Sequence, residues 1–403
     1  MDRYLEPGTA AYRAVVRAMF AVGLATFAVL YCVQPLMPLF SAQFGVSPAA
    51  SSLSLSATTG VLAPMLLVSS SLSESMGRKP LIIASILSSA ALTFLVAAAP
   101  SWTALLLLRA AQGITLSGLQ AVAMAYVGEE VTPAAIGGAM GLFVAGSGLG
   151  GMLGRIFAGA TADLASWRGA LAAVGVVSLA AGLFVWRTLP PSQHFARRAR
   201  NLRALTGSLA SHLADPILHR LYLGALLLMG AFVTVYNYIA YRLLAPPYNL
   251  SQALVGAIFL VYVVGIVSSA WMGQMADRHG RARIITLSLL ATLAGLALML
   301  ARPVLLIAFG LAIFTFGFFG AHATASGWVS RRARTAKAQA SALYLFSFYM
   351  GSSLLAPLAG LLWPGYRWAG VSAAAVLLLL AALAVIRTLP TETTLPPTPT
   401  PMI

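Results

Sequence analysis

Acidic residues and cysteine are scarce in this sequence. Its 403 residues include 9 Asp and Glu against 25 Lys and Arg. Only 8% of the residues are charged, whereas a soluble domain carries about 25%. The single cysteine, Cys32, excludes an intramolecular disulfide. With 60% hydrophobic residues, this composition excludes an ordinary soluble protein and is typical of a membrane protein.

Motifs for catalysis and nucleotide hydrolysis are also missing. The sequence has no G-x-x-x-x-G-K-[ST] loop to hold ATP phosphates, no His and Cys cluster with metal-ligand spacing, and no nucleophile–histidine pair. We therefore predict that the protein is not an enzyme. We also predict that it binds no metal or cofactor and does not use ATP as its energy source.

Long apolar runs fill most of the chain. A helix that crosses a bilayer needs about 20 predominantly apolar residues, and the sequence has twelve such segments. They lie at 18–40, 53–72, 80–98, 102–126, 134–158, 168–187, 218–241, 251–275, 283–300, 303–327, 338–362 and 368–387. The sequence therefore predicts an all-α membrane protein with twelve transmembrane helices.

The basic residues that give the net charge of +16 lie mostly at the ends of the predicted spans. If both termini are cytoplasmic, nineteen of the 25 Lys and Arg residues fall on cytoplasmic segments and four on outer ends. The other two, Arg109 and Arg155, lie within spans. Cytoplasmic loops of membrane proteins usually carry this excess of basic residues. The distribution predicts a multi-pass protein with cytoplasmic termini and accounts for the charge without a nucleic-acid partner.

One polar, basic segment separates six predicted spans from the other six. We predict an N-terminal six-helix bundle over 1–187, a basic cytoplasmic linker over 188–215, and a C-terminal six-helix bundle over 216–390. The linker has the composition of a segment at an anionic membrane surface, where 195–213 could form a helix. The tail 391–403, rich in Thr and Pro, is predicted to be disordered.

The two halves share a repeated motif. SSLSESMGRKPLI begins at Ser70 and GQMADRHGRARII begins at Gly273. Three residue pairs in the motif have the same separation: Glu74 and Asp277, Gly77 and Gly280, Arg78 and Arg281. The same separation relates Gln34 in the first span to Asn237 in the seventh. Parallel repeats of six spans place a substrate site near the membrane midplane, between the halves.

These motifs resemble those of a known transporter family. GQMADRHGR is similar to the cytoplasmic motif G-x-L-A-D-R-x-G-R-K of the major facilitator superfamily. LLLLRAAQG, from Leu105, and GLFVAGSGLGGMLG, from Gly141, are similar to the fourth- and fifth-span motifs of its drug:proton antiporter branch. The first cytoplasmic copy departs from the pattern at Ser70 and Ser75, and the fifth-span motif has Ser147 in place of proline. The resemblance covers the whole chain and implies the major facilitator fold, with two parallel-repeat halves in a bacterial inner membrane.

The resemblance also implies a role for the cytoplasmic turns. Acids at the span ends, paired with nearby arginines, would form a charge lock that holds the outward-open state. This lock consists of Glu74, Gly77, Arg78, Asp277, Gly280 and Arg281.

Glycines are dense in the fifth span. Small residues let helix backbones approach closely, and both 137/141 and 150/154 have G-x-x-x-G spacing. We expect helix packing at Gly146, Gly148, Gly150, Gly151 and Gly154.

Arg109 interrupts the apolar run LLLLRAAQG. An arginine at the centre of a spanning helix costs about 2.5–3.5 kcal/mol on insertion scales. Helical periodicity places Gln112 on the same face, so we expect Arg109 to face protein, water or a substrate anion. Its planar fork would orient that partner. The alternative, for Arg109 and for Arg155, is a side chain that extends to the outer interface.

Other polar residues within the spans suggest a binding site. His322 is the only histidine in a span interior and could carry a proton; the alternative is a structural histidine. No Asp or Glu lies in the middle of a predicted span, which favours neutral or anionic substrates over polycations. Rings and amides suit a mixed polar and aromatic ligand. The predicted substrate and coupling site contains Arg109, Gln112, Gln34, Tyr31, Asn237, Tyr238, Tyr241, His322, Tyr344 and Arg155.

Taken with the resemblance, these features predict a secondary active transporter. We expect proton-coupled efflux of a small organic molecule, drug-like, sugar or metabolite, by alternating access of a monomer in the lipid bilayer. One alternative is uptake or facilitated passage of an anionic metabolite or sugar. Another is a non-transporting membrane sensor, for whose output domain the linker 188–215 is too short.

Overall fold

Helices make up nearly all of the described structure. The computed structural model describes residues 4–195, 202–333 and 335–390. The helices are α1 (Ala10–Tyr31), α2 (Met37–Phe44), α3 (Pro48–Met76), α4 (Arg78–Ala97), α5 (Trp102–Glu130), α6 (Ile136–Leu164), α7 (Trp167–Thr188), α8 (Leu202–Ala214), α9 (Pro216–Leu244), α10 (Gln252–Ala257), α11 (Tyr262–His279), α12 (Arg281–Leu298), α13 (Val304–Arg332), α14 (Lys337–Gly360) and α15 (Trp363–Arg387). A 3-10 segment, Ile258–Val261, joins α10 to α11.

Twelve helical segments in the described part of the chain are long and apolar enough to cross a membrane. They are α1, α3 to α7, α9, α10 together with α11, and α12 to α15. This confirms the predicted all-α fold with twelve spans. The predicted ends are less accurate. α1 begins well before residue 18 because the Thr9 hydroxyl accepts a hydrogen bond from the Tyr12 N–H at 3.1 Å and caps the helix.

The first predicted span, 18–40, is a broken helix. α1 ends at Tyr31, a turn follows, and α2 begins at Met37. Pro35 explains the break, because it has no N–H and disfavours helical backbone in the residue before it. The last carbonyls of a helix have no partner within it. The end of α1 therefore offers acceptors to other side chains.

The spans alternate in direction, so the molecule has two sides. The Leu5 N–H donates to the Glu130 carbonyl at 2.9 Å, which places the start of the chain beside the end of α5. The Glu130 carboxylate accepts the backbone N–H groups of Gln193 and His194 at 2.8 and 3.0 Å. We call this side, which holds the start of the linker, the linker side. The opposite side is the far side.

The linker contains one described helix. α8 overlaps the predicted surface helix at 195–213. Next to its end, Asp215 caps α9 by accepting the Ile217 N–H at 2.9 Å, and it pairs with Arg332 Nε at 2.9 Å. Residues 196–201 and the tail 391–403 lie outside the described residues.

The spans before the linker, which we call the N half, meet the spans after it, the C half, along three seams. The turn after α1 and α2 face α9, α3 faces α14, and α6 faces α10 and α11. A Cβ atom on Gly159 would lie 2.7 Å from the Gln252 carbonyl oxygen, so this third seam is tightly packed. At its far-side end, the Asp163 carboxylate accepts the N–H groups of Gln252 and Ala253 at 3.0 and 2.7 Å. The far-side ends of the two halves are thus closed against each other.

Candidate substrate and coupling site

Gln34 and Asn237, which the repeat makes equivalent, contact each other directly. Gln34 Nε2 donates to Asn237 Oδ1 at 2.7 Å across a separation of 203 residues, and both side chains are buried. Equivalent residues of two halves can touch only near the pseudo-two-fold axis that relates the halves. The pair therefore marks the centre of the interface between the N half and the C half.

Arg155, on α6, lies beside this pair. Its Nε donates to Gln34 Oε1 at 2.5 Å, and its Nη1 donates to the Gly151 carbonyl of its own helix. The side chain is only 1% exposed, and no carboxylate among the described residues pairs with it. Gln34 thus links a buried cation of the N half to an amide of the C half.

Three aromatic rings surround the Arg155 guanidinium, and we call them the Arg155 cage. The guanidinium carbon lies 4.2 Å from the ring centroid of Tyr31, 4.6 Å from that of Tyr262 and 5.0 Å from that of Phe259. A cation within about 6 Å of a ring face is attracted to it. Tyr31 belongs to the N half, whereas Phe259 and Tyr262 belong to the C half. Both halves therefore stabilise this cation.

Two polar groups of α9 beside the cluster have no hydrogen-bond partner among the described residues. They are Asn237 Nδ2 and Thr234 Oγ1, on side chains that are fully buried. Residues three apart on a helix lie on the same face, so both groups are near the interface. An unpaired buried polar group costs about 1–3 kcal/mol. Such groups are the kind that a ligand would satisfy.

Tyr238 and Tyr241 lie at the closed far-side seam. The Tyr241 hydroxyl lies 2.6 Å from Ser41 Oγ and donates to the Met37 carbonyl at 2.9 Å, which links α9 to α2. The Tyr238 and Tyr241 rings lie 5.9 and 5.5 Å from the ring of Trp363. In this structure, Tyr241 joins the two halves at the far side, whereas the Tyr238 hydroxyl donates to the Ala356 carbonyl within the C half at 3.2 Å.

Arg109 caps the broken end of α1. Its Nη1 donates to the Val29 carbonyl at 3.0 Å and its Nη2 to the Leu30 carbonyl at 2.8 Å. Its Nε donates to the Ser54 carbonyl at 2.8 Å, and Nη1 also donates to Gln112 Oε1 at 2.7 Å. The carboxyl end of a helix carries partial negative charge, which a cation complements. The arginine in the apolar run therefore satisfies acceptors that the helix break exposes.

Arg109 and Gln112 lie inside the N half, away from the seam between the halves. Gln112 Nε2 donates to Thr93 Oγ1 at 2.9 Å, and Arg109 is 1% exposed. The alternative of an arginine that extends to the outer interface is wrong. Direct contact with a substrate stays a prediction. What the structure shows is that Arg109 holds the helix end from which Tyr31 and Gln34 reach the cluster.

His322 and Tyr344 form a pair within the C half. His322 Nδ1 lies 3.0 Å from the Tyr344 hydroxyl, and the imidazole centroid lies 4.5 Å from that of Phe348. His322 is partly exposed, while Tyr344 is buried. The histidine is thus held by one polar partner and keeps some accessible surface. Its role as a proton carrier stays a prediction.

The two repeated turns have the same backbone conformation. Gly77 and Gly280 have φ angles of 97° and 87°, a region that favours glycine. In the second turn, Arg281 pairs with Asp277 at 2.9 Å, and Arg331 pairs with the same carboxylate at 3.1 Å.

In the first turn, Arg78 reaches a more distant acid. It donates to both carboxylate oxygens of Glu129, at 2.6 and 3.0 Å. The side chain of Glu74 lies outside what the structure describes. Sequence reasoning missed Glu129, because a pair 51 residues apart leaves no local spacing to recognise. The function of these turns as a lock stays a prediction.

Three of the five predicted packing glycines touch the backbone of α1. A Cβ at Gly146, Gly150 or Gly154 would lie 2.3, 2.1 or 2.6 Å from an α1 backbone atom, respectively. Gly148 instead faces Ile266 of the C half at 3.4 Å, and Gly151 lies next to Arg155. The 137/141 spacing is not a packing motif, since no atom lies within 4 Å of a Cβ at either position.

Some contacts at the interface carried no recognised sequence signal. Phe259 and Tyr262 belong to an apolar stretch whose composition does not distinguish them from lipid-facing residues. Gln120 Nε2 donates to the Tyr349 hydroxyl at 2.8 Å, between α5 and α14. The repeat does not reveal these contacts, because they join non-equivalent positions.

Comparisons with known proteins agree with this architecture. The Major Facilitator Superfamily profile matches residues 19–334 and 221–402. The uncharacterized MFS-type transporter YybF of Bacillus subtilis (strain 168) is 46% identical, with 94% of each chain covered. The inner membrane transport protein YnfM of Escherichia coli (strain K12) is 43% identical, over 95% of this chain and 92% of the relative.

Solved structures share the fold at low sequence identity. An inward-facing, unoccupied bacterial homologue of the human lysosomal transporter Spinster has a TM-score of 0.79 and 14% identity, with 94% of this chain and 96% of the other covered. The nucleoside transporter NupG, as a D323A mutant, has a TM-score of 0.74 and 15% identity over 92% and 99% of the two chains. The family match, the closely similar transporters and the twelve spans together place this chain in the major facilitator superfamily, as a multi-pass membrane transporter.

Proposed function

We propose that the protein exports a small organic molecule in exchange for protons, by alternating access between its two halves. The observation that carries this proposal is the buried cluster of Gln34, Asn237 and Arg155 at the axis between the halves. A polar site at this position is reached from one side when one set of seams opens and from the other side when the opposite set opens. The far-side contacts of Tyr241 and Asp163 supply a set of bonds that must break in such a cycle.

The linker side is proposed to be cytoplasmic. The bias of basic residues toward that side supports this orientation. The closed far side would then correspond to an inward-facing state. A reporter enzyme that works only in the cytoplasm should be active when fused after Arg387 and inactive after Arg302, an exposed far-side residue. Activity only at the second position would reverse the orientation.

Proton movement provides enough free energy for efflux. One charge moving across about 100 mV yields about 2.3 kcal/mol, which corresponds to roughly a fifty-fold concentration ratio. His322 is the proposed carrier, because it is a titratable side chain within a span and its imidazole has a hydroxyl partner in Tyr344.

Transport by purified protein in liposomes tests the proposal. With a panel of drugs, sugars and organic anions, a pH gradient should drive accumulation of at least one compound. His322→Gln keeps the size and hydrogen bonding of the side chain but not its titration. We expect this variant to reduce gradient-driven accumulation at least tenfold while preserving downhill exchange. His219→Gln, at an exposed histidine near the start of α9, is the control and should behave as wild type.

The outcomes separate the alternatives. Full gradient-driven accumulation by His322→Gln would remove His322 from proton coupling. Downhill equilibration that no pH gradient alters would favour facilitated passage. An anionic metabolite is the candidate for such passage, since Arg155 has no acidic partner among the described residues. No movement of any compound, under any gradient, would contradict transport of these classes.

A further inference from the structure

The surroundings of Arg155 depend on how the halves are arranged. Gly151 and Tyr31 belong to the same half as Arg155, whereas Phe259 and Tyr262 belong to the other. Any opening of the far-side seam moves α10 and α11 away from α6, because these helices form that seam. The guanidinium would then lose two of its three rings. The buried cation of the closed state becomes an accessible cation in the open state.

An accessible arginine at this position would attract anions strongly. The sequence has no Asp or Glu in the middle of any span, so no fixed carboxylate competes for Arg155. Arginine presents parallel N–H donors that match a carboxylate. In the closed structure, the Gln34 amide oxygen takes one of these donors at 2.5 Å. A neutral carbonyl therefore occupies a place that a carboxylate oxygen fits better.

The opposite wall offers further donors. Asn237 Nδ2 and Thr234 Oγ1 are buried and have no partner among the described residues, although Gln34 holds the other end of the Asn237 amide. A second ligand oxygen would satisfy them. The ring of Tyr31, which belongs to the same half as Arg155, supplies flat apolar surface next to the guanidinium after the halves part. Such a combination suits a ligand with a carboxylate at one end and an aromatic body at the other.

We propose that Arg155 is the anchor of a binding site for aromatic carboxylates, and that the ligand carboxylate displaces Gln34 from the guanidinium. This inference rests on the proposed alternating access, because the site opens when the far-side seam parts. It gives the transported molecule a chemical class, an organic anion. It also assigns the bond between Arg155 Nε and Gln34 Oε1 a role as the contact that the ligand replaces.

Binding to purified protein in detergent tests the site without any gradient. The probes are benzoate and 3-phenylpropionate, each compared with its neutral amide, and the readout is ligand-dependent thermal stabilisation. The carboxylates should stabilise the wild type and the amides should not. Arg155→Gln should weaken carboxylate binding at least tenfold, and Arg155→Lys should weaken it less.

Arg168→Gln is the matched control. Arg168 also lies 4.2 Å from a ring, that of Trp167, but its hydrogen bonds go to the Ala97 and Ala99 carbonyls within the N half. We expect it to bind both carboxylates like the wild type. Asn237→Asp covers the case in which Arg155→Gln does not fold. It adds an internal carboxylate to the cluster, so it should raise the melting temperature and abolish benzoate binding.

Several results would overturn the site. They are equal stabilisation by acids and amides, no stabilisation by either acid, undiminished binding to Arg155→Gln or Asn237→Asp, and an equal loss in Arg168→Gln. Failure of transport is distinguishable from failure of the site. Arg155-dependent binding without movement in liposomes would contradict the transport proposal and leave the site. Transport of other compounds without carboxylate binding would contradict the site and leave the transport proposal.

Discussion

Replacement of Arg109 by alanine should lower the melting temperature of the protein and reduce transport at least tenfold. The substitution takes the Arg109 donor from the Leu30 carbonyl and leaves the Val29 carbonyl with only the Cys32 thiol at 3.4 Å. The Ser54 carbonyl, inside α3, loses its second donor. Each unsatisfied buried acceptor costs about 1–3 kcal/mol, and no water replaces the donor inside a bilayer. The end of α1 would lose its fixed position, and the Gln34 side chain would move with it. Thermal unfolding and liposome transport, at matched protein amounts, measure the two effects.

Arg109→Lys separates charge from geometry. Lysine keeps the cation at the carboxyl end of α1, but its ammonium cannot reproduce the planar fork that meets three carbonyls. We expect an intermediate melting temperature and partial transport. Arg302→Ala, which removes an exposed far-side arginine, is the control and should change neither quantity. If Arg109→Ala matched the wild type in both assays, the carbonyl contacts would have no importance for folding or transport.

Gly150→Ala should be the most damaging single methyl addition in α6. Its Cβ would lie 2.1 Å from the Leu24 carbonyl oxygen and 2.6 Å from the Leu24 Cα, and both are backbone atoms that cannot rotate away. Overpacking costs about 1–3 kcal/mol even where side chains can adjust. We therefore expect Gly150→Ala to lower the free energy of unfolding by about 3 kcal/mol or more. Melting temperature and the yield of folded protein in membranes measure it.

Gly141→Ala is the matched control for this prediction. It lies in the same helix, and no atom lies within 4 Å of its added Cβ. Alanine favours helix over glycine by about 1 kcal/mol, so this variant should be as stable as the wild type or slightly more stable. Equal stability of the two variants would mean that α1 and α6 separate easily.

Span positions and the equivalence of Gln34 and Asn237 could be predicted from sequence for physical reasons, whereas the contact between these two side chains could not. Apolar length sets the spans, because lipid excludes unsatisfied backbone. The repeat identified Gln34 and Asn237 as equivalent, and equivalence places a contact between them on the axis. The other contacts of the site depend on how helices distant in sequence lie beside each other. Hydropathy carries no information about that arrangement.

Arg109 and Arg78 illustrate what sequence alone leaves out. Two acceptors of Arg109, the Val29 and Leu30 carbonyls, are available only because α1 breaks, and they lie 80 and 79 residues earlier in the chain. Arg78 has a predicted partner one turn away, yet its bidentate contact is with Glu129 on another helix. In both cases, the charged side chain could be located from the sequence, but its partner could not.

The contact between α1 and α6 has a mechanical consequence. Glycines at 146, 150 and 154 bring the two backbones together over two helical turns, and Arg109 ties the end of α1 to α3 and α5. These helices can therefore tilt only as one stiff lever. α6 has 29 residues and is about 44 Å long, so a tilt of about 10° around its middle moves each end by about 4 Å, in opposite directions. A displacement that uncovers Arg155 on the far side would then close the linker side without a hinge inside any of these helices.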